Sequence, residues 1–250
     1  MILKVLLIAL LFKSSIFANK INIAVAANVS YAINDLIKEF NKTNPNTKIR
    51  ITLGSSGKLT AQIRHGAPYD LFMSANMKYP NSLYEKNIAI TKPIVYAQGS
   101  LAILSAKKRD FSKGLNLLKE SSIKRIAVAN PKTAPYGIAT KLALEKANIY
   151  SSLKKKFIYG ESISQTVSYT VTASDIGFIA KSSLYSPRMT RFKEGINWIS
   201  LDTKLYTPIS QGVVILKKAK DNKDVKAFYD FLLSKNAKKI FKNFGYIINE

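Results

Sequence analysis

Cysteine is absent from all 250 residues. Disulfides, thiolate metal sites, a cysteine nucleophile and a lipid-modified N-terminal cysteine are therefore excluded. Histidine occurs once, at His65, so no multi-histidine metal cluster can form. Acid is scarce: 15 Asp and Glu stand against 39 Lys and Arg, a formal net charge of +24. Such an excess admits nucleic acid, an anionic membrane surface or small anions as partners. The lysines, however, are scattered. The longest run is Lys154–Lys155–Lys156, and no arginine-rich segment interleaved with aromatics occurs. A lysine-biased, solvated surface accounts for most of the charge, and what remains is a general field that attracts small anions.

Long apolar runs are also missing, with one short exception at the start. Lys4 supplies a positive n-region, Val5 to Phe12 is apolar, and Ser14 to Ala18 ends in a small residue. The run is well short of the roughly 20 residues that span a bilayer, so it reads as a secretory signal cleaved after Ala18. An uncleaved N-terminal anchor is the alternative. Cleavage removes Lys4 and Lys13 and no acid, so +24 becomes +22. Export to the periplasm is expected, which argues against nucleic acid as a partner. The length suits one large domain or two lobes of roughly 100 residues each, a core large enough to need no disulfide.

What is present is one repeated phrase: apolar strand, small polar junction, amphipathic helix. Ile21, Ile23 and Val25 alternate as a strand does, Asn28 to Ser30 follow, and Ile33, Leu36, Ile37 and Phe40 fall on one helical face. Ile49, Ile51 and Leu53 alternate again, Gly54 to Gly57 form a junction, and Leu59 to Arg64 read as helix with Gly66 as its stop. "YDLFMSA" (69–75) reads as a short buried strand. "RIAVANPKTAPYGIATKLALEKA" and "KKFIYGESISQTVSYTV" each repeat strand, junction and helix, and "DIGFIAKSSL" is a strand entering a polar turn. "PIVYAQGSLAILSA" (93–106) and "LYTPISQGVVILKKA" are two long extended stretches, and the tail from Val225 to Phe241 is helical. Repeated units of this kind predict mainly parallel sheets flanked by helices. With two extended crossings they suggest two α/β lobes, 19–97 with 207–250 and 98–206. Periodicity alone is equally satisfied by a single doubly wound sheet.

In open α/β sheets ligands bind beyond the carboxyl ends of the strands, where helices begin with unpaired N–H groups and a partial positive charge. Four junctions carry small or polar residues: Ala27–Asn28, Ser55–Ser56–Gly57, Ala134–Gly137 and Glu161–Ser164. Any one of them is explained by ordinary helix capping. Two in each lobe could face one another across a cleft and hold an anion through neutral donors. Lys58 and Lys132 flank two of them. Catalytic readings fare worse. His65 reads as a solvated helix-end residue, and no G-x-S-x-G is present for a serine nucleophile. The Gly54–Lys58 stretch lacks the G-x-x-x-x-G-K-[ST] spacing of a phosphate loop. Asp70 and Glu161 are no evident acid/base pair, and Trp198 reads as packing.

The stretches "AVAANVS", "GSSGKLTAQIRHGAPYDLFMSA", "NPKTAPYGIA", "GESISQT" and "VKAFYDFLLSKNAKKIFKNFGY" resemble the periplasmic molybdate-binding proteins of ABC importers, over nearly the whole mature chain. The resemblance implies a two-lobed periplasmic binding protein of type II-like fold with a cleft between its lobes. It implies a monomer that is not an enzyme and needs no cofactor. Such a protein closes over molybdate or tungstate and delivers it to a membrane permease with its ATPase. Position by position, Asn28 stands at a first-loop donor and Ser56 at a serine giving hydroxyl and amide. Tyr136 and Ile163 stand at positions giving backbone N–H groups. Molybdenum would be held only through its oxygens, with no direct metal ligation. The chain departs at Ala180, where some members carry a tyrosine donor, and the Tyr136 hydroxyl is the expected replacement. A donor-only site would disfavour phosphate, which still carries a proton near neutral pH. Sulfate would have to be rejected by size. Competing expectations are a receptor for sulfate or another tetrahedral oxyanion, an exported serine hydrolase using Ser56, and a basic surface-adhesion protein.

Overall fold

The structure, a computed structural model, describes residues 20–248. The signal segment expected over residues 1–18 lies outside them. In chain order the first lobe opens with β1 (Lys20–Ala26), a 3-10 turn (Ala27–Tyr31), α1 (Ile33–Phe40), β2 (Lys48–Gly54), α2 (Ser56–Arg64), β3 (Leu71–Ser74) and α3 (Lys78–Glu85). β4 (Ile94–Gly99) then leads directly into β5 (Leu101–Leu104), which lies in the other sheet. The second lobe continues with β6 (Ile126–Ala129), α4 (Pro135–Lys146), α5 (Tyr150–Leu153), β7 (Phe157–Gly160), α6 (Ile163–Thr172), β8 (Ile176–Ala180) and β9 (Trp198–Ser200). β10 (Ile209–Ile215) returns to the first sheet and is followed by α7 (Lys223–Leu232) and α8 (Lys235–Asn243).

Two five-stranded sheets result, ordered β2-β1-β3-β10-β4 and β7-β6-β8-β5-β9. Each has three parallel strands joined by helical crossovers and two strands set by antiparallel pairing. The two-lobed α/β organisation expected from the repeated phrase is thus present, and the single doubly wound sheet is not. The stretch 93–106 is two strands rather than one, because the chain changes sheets after Gly99.

Each sheet is buried on both faces. In lobe one, Ile21, Ile23 and Val25 pack with Leu36, Phe40 and Phe228, while Ala24 and Phe72 on the opposite face meet Leu59, Ile63 and Leu83. Phe40 and Phe228 meet edge to face at 5.1 Å, which ties the C-terminal helices to α1. In lobe two, Ile126 and Val128 pack with Ala139, Ala143 and Leu144 of α4, and Leu104 and Ile179 meet Val167 and Phe192. The alternation read in the sequence is the signature of these faces.

Register decides where the junctions go. Parallel pairing of β1 with β2 sets Ala26 beside Gly54, and pairing of β6 with β7 sets Ala129 beside Gly160. Two strand ends in each lobe therefore finish side by side, and the following helices start together.

Candidate functional site

The helices start earlier than the apolar pattern indicates. α2 begins at Ser56, α4 at Pro135 and α6 at Ile163, so the small residues form the first turn rather than a preceding loop. The apolar period cannot show this, because the first-turn residues Ser56, Gly57, Pro135, Gly137 and Ser164 are small or polar and add nothing to an apolar stripe. Ala27, Asn28, Ser55, Ser56, Ala134, Tyr136 and Ile163 line one small cavity between the lobes. All four residues singled out from the sequence, Asn28, Ser56, Tyr136 and Ile163, are brought together there. No charged side chain lines it. Lys58 instead pairs with Glu161 at the exposed rim, and Lys132 borders a separate groove.

The electrostatics follow from backbone. Three α-helices of 9, 12 and 10 residues, with the 3-10 turn at Ala27, point their N-termini at the cavity. Each α-helix N-terminus carries roughly half a positive charge, and its first N–H groups lack intrahelical partners. The Ser56 hydroxyl accepts the Ala75 N–H at 2.9 Å, leaving its own proton to donate. Ser55, the residue before α2, makes no capping bond, and its buried hydroxyl has no partner. Of the buried side-chain polar atoms without partners among the described residues, the Ser55 hydroxyl is the one donor of a cavity-lining residue that the following contacts do not turn away from the cavity. Buried polar groups are ordinarily paired, so an unpaired hydroxyl beside the start of α2 marks a place for a polar guest.

The side chain of Asn28 turns away from that guest. Gln211 donates to the Ile209 carbonyl at 2.8 Å, which leaves its Oε1 to accept Asn28 Nδ2 at 2.9 Å. Asn28 Nδ2 also donates to the Tyr246 hydroxyl at 2.8 Å, and that hydroxyl donates back to the Asn28 carbonyl at 2.9 Å. The Tyr136 hydroxyl, expected to replace the donor lost at Ala180, fills a notch at Gly99, where any Cβ would overlap it, next to Gln211. Neither Gly99 nor Gln211 lines the cavity. Burial pushes the Tyr136 and Tyr246 hydroxyls well above the ordinary tyrosine value, so both are neutral donors at physiological pH. Ala180 is fully buried at the end of β8, paired with Leu101, and does not line the cavity.

The lobes touch around the cavity. Gly57 donates to the Thr133 carbonyl at 2.9 Å, and a Cβ on Gly57 would stand at that same 2.9 Å from it. Ser164 donates to the Ala27 carbonyl at 2.8 Å and Ser182 to that of Asn28 at 3.1 Å. Sequence reasoning missed Ser182, Gln211 and Tyr246, whose partners lie far off in the chain. His65 is exposed at the end of α2, and Asp70 accepts the Asn22 N–H at 2.7 Å, tying β3 to β1. No group of three or more His, Cys, Asp or Glu that could hold a metal occurs among the described residues.

A family model described as bacterial extracellular solute-binding protein matches residues 21–247. The molybdate-binding protein ModA of Azotobacter vinelandii is 33% identical over 92% of this chain and 90% of its own length. That of Rhodobacter capsulatus is 32% identical over 92% and 89%. Among solved structures, the periplasmic molybdate-binding protein of A. vinelandii superposes with a TM-score of 0.85 at 28% identity, covering 92% of this chain and all of that one. A sulfate-binding protein of Mycobacterium tuberculosis shares the fold at a TM-score of 0.77 and 11% identity, covering 91% of this chain and 86% of its own.

Proposed function

The chain belongs to the bacterial extracellular solute-binding proteins, and from that premise we propose that it captures molybdate, or tungstate, in the inter-lobe cavity. It then hands the anion to the permease and ATPase of an ABC importer. It is a binding protein, not an enzyme. It acts outside the cytoplasm, and we place it as a periplasmic monomer released by cleavage after Ala18. The observation that carries the reading is the convergence of helix N-termini from both lobes on a cavity without charged side chains. Such a site compensates a dianion with dipoles and offers it donors. Asn28, Tyr136 and Ile163 would give main-chain N–H groups, and Ser56 its hydroxyl and amide.

Donors alone also discriminate. Monohydrogen phosphate would set a proton against donors, and a buried group left unpaired costs about 1–3 kcal/mol. Sulfate matches the charge but is smaller. Calorimetric titration with molybdate, tungstate, sulfate and phosphate tests the reading. One tight site for molybdate and tungstate is expected, with sulfate and phosphate far weaker. Equal affinity for sulfate would replace the molybdate assignment by a general tetrahedral-oxyanion receptor, and no binding of any oxyanion would overturn the receptor reading. Molybdate at 100 times its dissociation constant should stabilise the fold by about 2.7 kcal/mol.

A further inference from the structure

Two successive carbonyls of the Ala27–Tyr31 turn, on Ala27 and Asn28, each accept a serine hydroxyl from the other lobe. Ser164 lies in the first turn of α6, and Ser182 in the 3-10 turn Lys181–Tyr185 that follows β8. We propose that Ser164 and Ser182 form a closing clamp that grips the carbonyl side of this turn while its amide side holds the anion, so that they set how long the anion is retained without touching it. The proposal rests on the oxyanion-receptor reading of the same cavity.

Three observations support it. First, neither Ser164 nor Ser182 lines the cavity, whereas the two residues whose carbonyls they grip both do. Second, the Ala27 carbonyl belongs to the same peptide unit as the Asn28 N–H. A hydrogen bond accepted at that oxygen polarises the unit and strengthens its N–H as a donor. Ser164 thus acts on the anion through one peptide group. Third, lobe one holds the turn ready for the clamp. The Tyr246 hydroxyl donates to the main-chain carbonyl of Asn28 and accepts from its side-chain Nδ2, and Gln211 Oε1 accepts from the same Nδ2, so the main-chain N–H is left free of both. Gln211 is aimed by a bulge, since β10 pairs Gln211 with Ala97 and Gly212 with Val95, leaving Tyr96 unpaired between them. Ser30, whose hydroxyl is 3.3 Å from that of Ser164, gives the clamp a second point of contact on the same turn.

A device of this kind acts on release rather than on capture or selectivity. An open form meets the anion before the serines engage, so association is unaffected. Dissociation must first break the clamp. The test is stopped-flow binding of molybdate to Ser164→Ala, Ser182→Ala and the double variant, with unliganded melting and the molybdate-to-sulfate affinity ratio measured beside it. Each single variant should speed release about fivefold, the factor for one neutral hydrogen bond, and the double variant more than either. Association rate, anion ratio and unliganded melting temperature should stay at wild-type values. Wild-type release from the double variant, with wild-type protein still binding molybdate, overturns the clamp alone. An equal fall in the melting temperature of the free and bound forms also overturns it, because the serines would then only support the fold. Failure of the wild-type protein itself to bind molybdate overturns the receptor reading and the clamp with it.

Discussion

The Ser56 hydroxyl has one proton to give, and its oxygen is already held by the Ala75 N–H. Ser56→Ala therefore removes two things: a donor to the anion and an acceptor inside lobe one. Affinity for molybdate should fall by about 1.5–3 kcal/mol, the range for a hydrogen bond to a charged group. The unliganded fold should lose about 1 kcal/mol or more, because Ala75 N–H is left buried and unpaired. Calorimetry and urea unfolding read the two effects separately, and unchanged affinity would take Ser56 out of the site. Gly57 is required for a different reason. Its Cβ position faces the Thr133 backbone across the cleft, so Gly57→Ala should leave lobe one folded but hold the lobes apart. Small-angle scattering of the molybdate complex should then show a more open particle than wild type. An equally compact particle with wild-type affinity would show that the contact gives way. The small residues and their gathering in one cavity were legible in the sequence. The directions of the Asn28 and Tyr136 side chains were not, because they depend on Gln211, Tyr246 and Gly99, and the first two lie 183 and 218 residues from Asn28.

At the scale of elements, the strand–helix phrase located β1, β2, β6 and β7 as apolar runs ending in a small polar junction, and α1 and α4 by the apolar side chains they bury. The pattern fails where such runs or buried side chains are too few. α3 is the eight-residue "KYPNSLYE" with only Pro80 and Leu83 buried, too little to mark a period. β9 has three residues and none fully buried. First turns at the cleft escape because they are built of small and polar residues. Those first turns are also where the rim pair lies, with Lys58 in the first turn of α2 and Glu161 just before α6. Its side chains are 47% and 69% exposed. An exposed pair of this kind is worth at most about 1 kcal/mol and is screened by salt. Lys58→Ala should thus weaken molybdate binding less than threefold to fivefold at low ionic strength, and the difference should vanish at high salt. A large loss that persists at high salt would mean that the lysine itself contacts the anion.

Across the whole molecule, a cluster of buried neutral tyrosines lies beside the cleft. Tyr96, Tyr136 and Tyr246 are buried where the crossing strands meet the ends of the lobes, and burial raises all three above the ordinary value of 10.0. Tyr136 is also the one cavity-lining residue with a titratable side chain. From about pH 6 to 9, within which no unperturbed tyrosine ionises appreciably, both folding stability and molybdate affinity should be nearly flat. Above pH 10 the sign is fixed by linkage. The unfolded chain releases tyrosine protons there and the folded chain retains them, so unfolding is favoured as pH rises toward the folded values. Each such tyrosine contributes about 1.4 kcal/mol of lost stability per pH unit through that window. Tyr246→Phe removes one of these groups, so its stability should decline less steeply with alkaline pH than that of wild type, from a lower starting point because Asn28 loses a partner. Urea unfolding at a series of pH values between 8 and roughly 11 measures the slope directly. A wild-type profile that stays level above pH 10 would mean that these tyrosines ionise in the folded state, and a Tyr246 hydroxyl that ionises so readily could no longer donate to the Asn28 carbonyl and hold the turn for the second lobe.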